Sequence, residues 1–188
     1  ASYNNIGLRF NGQKDNFILE SELTLQTSLG TSSKNDVSAS LFSFNLGYKP
    51  DGIGLLNSVF LGLDRISGDD SSTETAEGFS KEFGARHKHH GYYDYNLHKK
   101  YFGHGHDGLN EINVKANIDI LKRTNLLVAL HNFRSAVKDI YYGSEVNFIF
   151  KTKHNEEVSS EIGSVFYFPD QGDKKTLPFF YLMITANF

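Results

Sequence analysis

What this sequence lacks narrows its possible fold and function. It has no cysteine, which fits an exported bacterial protein, although many cytosolic proteins lack cysteine too. Its 188 residues include only three prolines, which suits long β-ladders because proline cannot donate a hydrogen bond to them. No segment holds about 18 or more consecutive apolar residues, so a transmembrane helix is excluded. The net charge of −3 argues against generic nucleic-acid binding, which favours basic surfaces.

The N-terminal segment shows no targeting signal. Residues 1–5 have neither a basic start nor an apolar middle, so we expect either a cytosolic protein or a mature or trimmed one. Hydrophobic residues make up 39%, below the usual globular share, whereas aromatics reach 14%. This balance suits a wall that is apolar on one side and polar on the other. The length is sufficient for one domain, which we place at residues 1–188.

The last ten residues carry the clearest pattern. From Phe180 onward every second residue is apolar, and the last of these is an aromatic, Phe188. A period of two with one apolar face predicts a β-strand whose outer side contacts an apolar environment. The segment resembles the closing strand of bacterial outer-membrane β-barrels, whose terminal aromatic is an assembly signal. The resemblance implies recognition by the outer-membrane assembly machinery through this strand.

Ten segments of the chain show the same alternation, and no stretch has a helical period. They are approximately residues 5–11, 17–28, 37–48, 57–67, 88–97, 109–120, 125–135, 142–152, 157–168 and 178–188. A membrane-crossing β-strand needs about 9–11 residues, which most of these segments supply. The sequence therefore predicts an all-β fold, an antiparallel transmembrane β-barrel of about ten strands with apolar residues outside and a polar lumen.

Two soluble folds explain part of this pattern. An antiparallel sheet with one solvated face accounts for any single strand, but open sheets of about ten strands usually curl or split. A lipocalin-like barrel has the opposite sense, with apolar residues inside and polar residues outside. Alternation alone does not tell which face is inside. The terminal aromatic, together with a family resemblance in three other stretches, favours the membrane barrel.

The predicted connections alternate in length. Residues 122–125 and 153–156 form tight turns, which we expect at the periplasmic side, whereas bacterial barrels carry their longer loops outside. The longer or more irregular connections are 99–108, 136–140 and 170–177. Counting strands back from the C-terminus places the longest connection, residues 68–86, on the periplasmic side.

Three stretches resemble the alginate-export family of outer-membrane porins. The first is a strand end, Leu63–Asp70, and the third is a strand start, Tyr142–Asn147, in which Asn147 stands where the family usually has Asp. The second is similar to the family's His-Lys-x-x-Gly-x-x-Asp-aromatic segment. Its matching residues in this sequence are His87, Lys88, Gly91, Asp94 and Tyr95. Members of the family are generally larger barrels, so the resemblance implies a C-terminal portion or a reduced relative.

Charged residues that alternate onto the polar face are the candidate solute-lining residues. They are Glu20, Glu22, Asp94, Glu111, Lys115, Asp119, Glu145 and Lys151. Acids outnumber bases on this face, and a field of that sign repels a polyanion such as alginate. In a narrow barrel the same residues would form cross-strand ion pairs that plug and stiffen the interior. In a wider assembly they would act as a selectivity lining.

Histidines are the other chemical candidates. His104 and His106 have a spacing that allows transition-metal binding, but no cysteine or well-spaced carboxylate completes a recognisable site. His89 and His90 would point to opposite faces of a strand, so we expect loop histidines and no metal or other cofactor. An acid–histidine pair such as Asp94 with His131 would suit catalysis at a barrel rim. Without a nucleophile signature beside it, we expect no enzyme activity.

The sequence favours a porin-like or export channel of the bacterial outer membrane that passes polar or charged solutes passively. The alternative is a closed barrel with a structural or interaction role, for instance as a subunit of a larger surface assembly. In both cases the expected partners are the lipid bilayer and the assembly machinery. The channel adds a polar solute or polysaccharide as ligand.

Overall fold

The computed structural model describes residues 3–28, 36–80, 90–93, 105–138, 140–170 and 175–187. These residues form nine β-strands and no helix. The strands are β1 (Tyr3–Lys14), β2 (Phe17–Ser28), β3 (Ser38–Tyr48), β4 (Leu56–Ile66), β5 (Leu109–Leu121), β6 (Thr124–Arg134), β7 (Tyr141–Lys153), β8 (Val158–Pro169) and β9 (Leu177–Ala186). In the described part of the chain, no helix has the length and hydropathy needed to cross a bilayer.

All nine strands belong to one antiparallel sheet in which each strand pairs with the next in sequence. The predicted all-β, antiparallel architecture is therefore confirmed. Among the described strands, β1 and β9 lie at the two edges and do not pair with each other, so the sheet is not closed into a barrel. The meander has an odd number of strands, and β1 and β9 consequently run in the same direction.

The described part of the strand predicted at 88–97, residues 90–93, is not part of the sheet. β4 pairs directly with β5, through partners such as Asp64 with Glu111, so no strand lies between them. The described residues 90–93 adopt a bend conformation, with Gly91 at φ +78°. Because side-chain carboxylates of the sheet bind this segment, its backbone does not need to pair with a neighbouring strand. The rest of 88–97 lies outside the described residues, and the sheet has nine strands rather than ten.

The connections divide between the two ends of the sheet. At one end, which we call the short-turn end, β1–β2 and β5–β6 are each joined by two residues, and Asp15 adopts φ 52° in the first turn. At the opposite end, the long-connection end, the connection between β4 and β5 runs from 67 to 108. The expectation that residues 68–86 share the end of the tight turns is wrong for the described residues 68–80, because it counted a strand at 88–97 between β4 and β5.

The sheet has an apolar outer face and a polar inner face, and the outer one is the more exposed. Leu8, Leu182 and Ile184 on the outer face are 75%, 65% and 67% exposed. On the inner face, Glu111 and Glu145 are 2% and 0% exposed. Along each strand, successive side chains point alternately to these two faces, as a period of two requires.

A small hydrophobic cluster lies at the long-connection end of the inner face. It comprises Val37, Ala39, Ile66, Phe79, Leu109, Phe133, Tyr142 and Tyr167. Phe79 belongs to the β4–β5 connection, and its backbone N–H donates to the carbonyl of Ser67 at 3.1 Å. The cluster therefore packs the first part of this connection onto the inner face.

Candidate functional site on the polar inner face

Glu111 is the centre of a buried polar cluster on β5. Its Oε1 lies 2.7 Å from Nδ1 of His131, and its Oε2 lies 2.8 Å from Nδ1 of His90. The side chains of Glu111 and His131 are 0% and 2% exposed. An ionised carboxylate only accepts hydrogen bonds, so both Nδ1 atoms carry the hydrogen in this arrangement. Both oxygens of a fully buried acid are thereby hydrogen-bonded.

The sheet register brings a second carboxylate to the same place. Asp64 on β4 is the direct cross-strand partner of Glu111, and its side chain is 7% exposed. Two ionised carboxylates opposite each other in a sheet repel, more strongly when water is excluded. His90 of the β4–β5 connection lies beside both, with Nδ1 at 3.8 Å from Oδ2 of Asp64. The connection therefore places a basic group next to two buried acids.

Glu145 on β7 holds the next part of the connection. It accepts hydrogen bonds from the backbone N–H groups of Tyr92 at 2.6 Å and Tyr93 at 3.0 Å. Gly91 is required beside it, because a Cβ at this position would lie 2.5 Å from Glu145 Oε1 and the residue has φ +78°. This carboxylate acts as a clamp on the backbone of residues 91–93.

Two tyrosines extend the contact across the sheet. The ring of Tyr92 stacks on Tyr181 of β9 at 5.8 Å between centroids, and that of Tyr93 stacks on Tyr167 of β8 at 5.4 Å. Burial raises the pKa of the Tyr92 hydroxyl, so this hydroxyl stays protonated at neutral pH. With His90 at β4 and β5 and the tyrosines at β8 and β9, residues 90–93 cross the inner face.

Further polar contacts secure the start of the connection. The side-chain amide of Gln26 on β2 accepts from the N–H of Ser80 at 2.8 Å and donates to its carbonyl at 2.7 Å. Asp69 accepts hydrogen bonds from the N–H groups of Gly78 at 2.6 Å and of Gly105. At the surface, hydrogen bonds from Ser72 lower the pKa of the Asp70 carboxyl. The connection is thus held by side chains from β2 and by its own acids.

The sequence-predicted lining residues fall into different environments. Glu111 and Glu145 are buried beneath the connection, whereas Glu20, Glu22 and Lys115 are half-buried on their strands. At the short-turn end, Asp119 accepts hydrogen bonds from two asparagines, and Lys151 pairs with Glu161 at 3.1 Å. Among the predicted motif residues Gly91 is in the site, and His87, Lys88 and Asp94 lie outside the described residues.

An open cavity of about 1070 Å³ occupies the inner side of the short-turn end. Its charged and polar lining includes Asp119, Asn125, Lys151, Lys153, Glu161 and Thr185. Basic and acidic groups are interspersed there, so this part of the inner face carries charges of both signs. It adjoins water-accessible side chains, while described residues of the β4–β5 connection, such as Ser80 and Tyr92, contact the inner face towards the opposite end.

Three residues of the buried cluster, Asp64, His90 and His131, were not identified as site residues from the sequence. Alternation places Asp64 and His131 on the inner face, which was a usable signal for both. His90 had none, because it was expected within the strand at 88–97, whereas the described residues 90–93 form a bend. The proposed Asp94–His131 pair is untested, since Asp94 lies outside the described residues, and His131 pairs with Glu111 instead.

No family model matches this chain, and no curated protein matches it.

Proposed function

We propose that this chain forms all or part of the wall of a bacterial outer-membrane β-barrel through which polar solutes pass passively. The observation that carries the proposal is the sense of the two faces, with the apolar one exposed and the polar one carrying the buried acids Asp64, Glu111 and Glu145. A soluble barrel or sandwich puts its apolar face inside. A membrane barrel has the opposite arrangement, with an outward apolar band and a polar interior.

The apolar outer face continues over the whole sheet. It includes Leu8 on β1, Leu23 on β2, Phe42 on β3, Leu61 on β4, Ile112 on β5, Leu130 on β6, Phe150 on β7, Ile162 on β8 and Leu182 on β9, all exposed. Exposed apolar patches larger than a few hundred Å² mark sites of interaction with proteins or membranes. A patch that crosses nine strands fits lipid, which makes no demand for a matching partner surface.

The inner face supports passage of polar solutes but also restricts it. The cavity at the short-turn end is lined by both signs of charge, as with Lys151 beside Glu161. At the long-connection end, residues 90–93 cross the inner face and are fixed by Glu145 and by two ring stacks. We therefore propose that the β4–β5 connection sets the constriction. The clamp on this segment also favours the second candidate, a closed barrel with a structural role.

The membrane claim is tested by cysteine labelling on one strand, because the chain has no cysteine of its own. Val114 and Lys115 are neighbours on β5 with side chains on opposite faces. In protein folded into liposomes, we expect Val114→Cys to resist a water-soluble maleimide and Lys115→Cys to react. Equal labelling of both, or stable folding in plain buffer without detergent, would contradict a lipid-facing outer surface.

Planar-bilayer conductance separates the channel from the closed barrel. Protein that passes the labelling test should give ohmic steps, and a bulky residue in place of Lys115 should reduce the step size because Lys115 is half-buried on the inner face. The control is a substitution of equal size at the outward Val114. Inserted protein that never conducts would leave the structural role as the function.

A further inference from the structure

We propose that Asp64, His90 and Glu111 form a binding site for a divalent transition-metal cation of the Zn²⁺ type, which joins the β4–β5 connection to the wall. The proposal goes beyond the transport function and does not depend on it. The three residues come from three separate parts of the chain: β4, the connection and β5. They are the group of metal-binding side chains that the described part of the chain brings together.

The geometry suits a small cation. One ligand atom from each residue lies within 4.8 Å of the others, and all three residues are buried. Zinc binds imidazole nitrogen and carboxylate oxygen at about 2.0–2.2 Å, which separates tetrahedral ligands by roughly 3.3–3.6 Å. The His90–Asp64 distance of 3.8 Å and the His90–Glu111 distance of 2.8 Å lie on either side of that value. Small side-chain shifts bring both into range.

The charges at the site call for a cation. Asp64 and Glu111 are cross-strand partners with side chains 7% and 0% exposed, so when both carboxylates are ionised their repulsion is poorly screened by water. The basic groups facing them are His90, His131 and, farther along β5, Lys115. A divalent ion offsets both negative charges at the point where they meet. Imidazole with carboxylate is a donor set used by zinc and other first-row metals.

An unpaired oxygen next to the three residues is an independent indication of a ligand. Asn113 is 1% exposed, and its Nδ2 donates to Oε1 of Glu111 at 3.0 Å. Its Oδ1 is buried without a hydrogen-bond partner among the described residues. This oxygen lies over Gly62, two residues from Asp64 on the same face of β4. A buried acceptor of this kind is costly unless it is satisfied, and a water bound to the ion would supply a donor.

Metal binding at this site is a balanced exchange of a proton for an ion. His90 Nδ1 and Glu111 Oε2 share one hydrogen at 2.8 Å. The ion takes its place, the proton goes to solvent, and no oxidant or reductant is involved. His131 keeps its contact with Oε1 of Glu111 and orients the carboxylate, as outer partners of metal ligands do.

The competing explanation is a hydrogen-bonded network without metal. It satisfies both oxygens of Glu111 but leaves Asn113 Oδ1 without a donor and the two carboxylates opposed. The two explanations differ in what they predict for binding. Only the metal site requires one ion per chain that is lost when any one of three residues distant in sequence is changed.

The test is Zn²⁺ binding by the full chain, folded in detergent micelles and freed of metal with a chelator. Calorimetry and metal analysis should give one ion per chain, with a Kd in the micromolar range or tighter. Asp64→Asn, His90→Ala and Glu111→Gln should each weaken binding at least tenfold. The matched control is His154→Ala, since His154 is exposed at the short-turn end and contacts Ser160. A second control, His106→Ala, tests for binding by another histidine of the connection.

A spectroscopic measurement guards against variants that fail to fold. Co²⁺ added to the metal-free protein should give visible bands of a nitrogen- and oxygen-bound ion, and His90→Ala should change them while circular dichroism stays that of a β-sheet. His131→Ala should weaken binding by about 10–100-fold without abolishing it. The proposal is overturned if no ion binds at micromolar concentration, or if stoichiometric binding survives all three ligand substitutions in folded protein.

Discussion

The contact between Gly91 and Glu145 fixes the position of part of the β4–β5 connection. The carboxylate of Glu145 accepts two backbone hydrogen bonds, and this is possible because position 91 has no Cβ to fill the space. A charge-assisted hydrogen bond is stronger than a neutral one, and a buried carboxylate that loses its donors is left unpaired. The contact therefore stabilises both the connection and the buried acid.

We expect Gly91→Ala to lower the free energy of unfolding by more than the cost of its backbone conformation. An alanine at φ near +78° costs about 1–2 kcal/mol, and displacement of Glu145 adds roughly 1–3 kcal/mol. The measurement is denaturant unfolding in detergent or liposomes, followed by circular dichroism.

Gly105→Ala is the matched control for this substitution. Gly105 has the same φ of +78°, but nothing lies within 4 Å of where its Cβ would be. It should show the backbone cost alone. Equal losses at the two positions would mean that the Glu145 clamp contributes nothing measurable, and a double-mutant cycle of Gly91→Ala with Glu145→Gln would then show no coupling.

At the scale of the strands, the alternation of polar and apolar residues predicted a strand correctly where the segment pairs with neighbouring strands of the sheet. The predicted alternation of β5 is found from Leu109 to Leu121, with Glu111 inside and Ile112 exposed. It failed at 90–93, the described part of the segment 88–97, where a similar alternation does not form a strand. Alternation shows only which residues are polar. A segment whose backbone N–H groups donate to carboxylates does not have to pair with a neighbouring strand.

A charge on the apolar outer face should cost most in the middle of a strand. Ile162 and Phe168 lie on the outer face of β8, 52% and 42% exposed, with Phe168 next to the strand's end. In a bilayer, we expect Ile162→Lys to cost about 2–4 kcal/mol and Phe168→Lys about 0–1 kcal/mol, because the penalty falls towards the interface.

Unfolding from liposomes, with the reversible transition followed by circular dichroism, measures both substitutions at β8. The unsubstituted protein and Ile162→Val serve as references for the loss of size without charge. If the two lysines had equal and small effects, the outer face would not lie in a hydrocarbon layer.

At the scale of the whole molecule, the sheet formed by the described strands has two free edges, β1 and β9. β1 and β9 run in the same direction because they are separated by eight antiparallel steps. A direct β1–β9 seam would therefore be parallel, whereas single-chain bacterial barrels have an even number of antiparallel strands. We expect the wall to be completed by strands other than these two.

Cross-linking tests this expectation in the membrane. Leu8→Cys on β1 and Leu182→Cys on β9 both place a thiol on the exposed outer face in a chain without other cysteines. A short bis-maleimide should give no product within one chain, while the adjacent pair Leu8→Cys with Leu23→Cys, which face each other across β1 and β2, should link. An intrachain β1–β9 product would show that the chain closes on itself.

The sequence by itself determined the class of structure, because a period of two with short polar turns leaves an antiparallel sheet as the consistent solution. It also placed Glu111 and Glu145 on the polar face. Only the tertiary structure decided which face is exposed. The alternation of polar and apolar residues is the same whether a barrel has its apolar face outside or inside. It also brought His90 next to Glu111 and Gly91 next to Glu145, which lie 21 and 54 positions away in the chain. Such contacts depend on the sheet register and on the path of the connection, which local pattern does not encode.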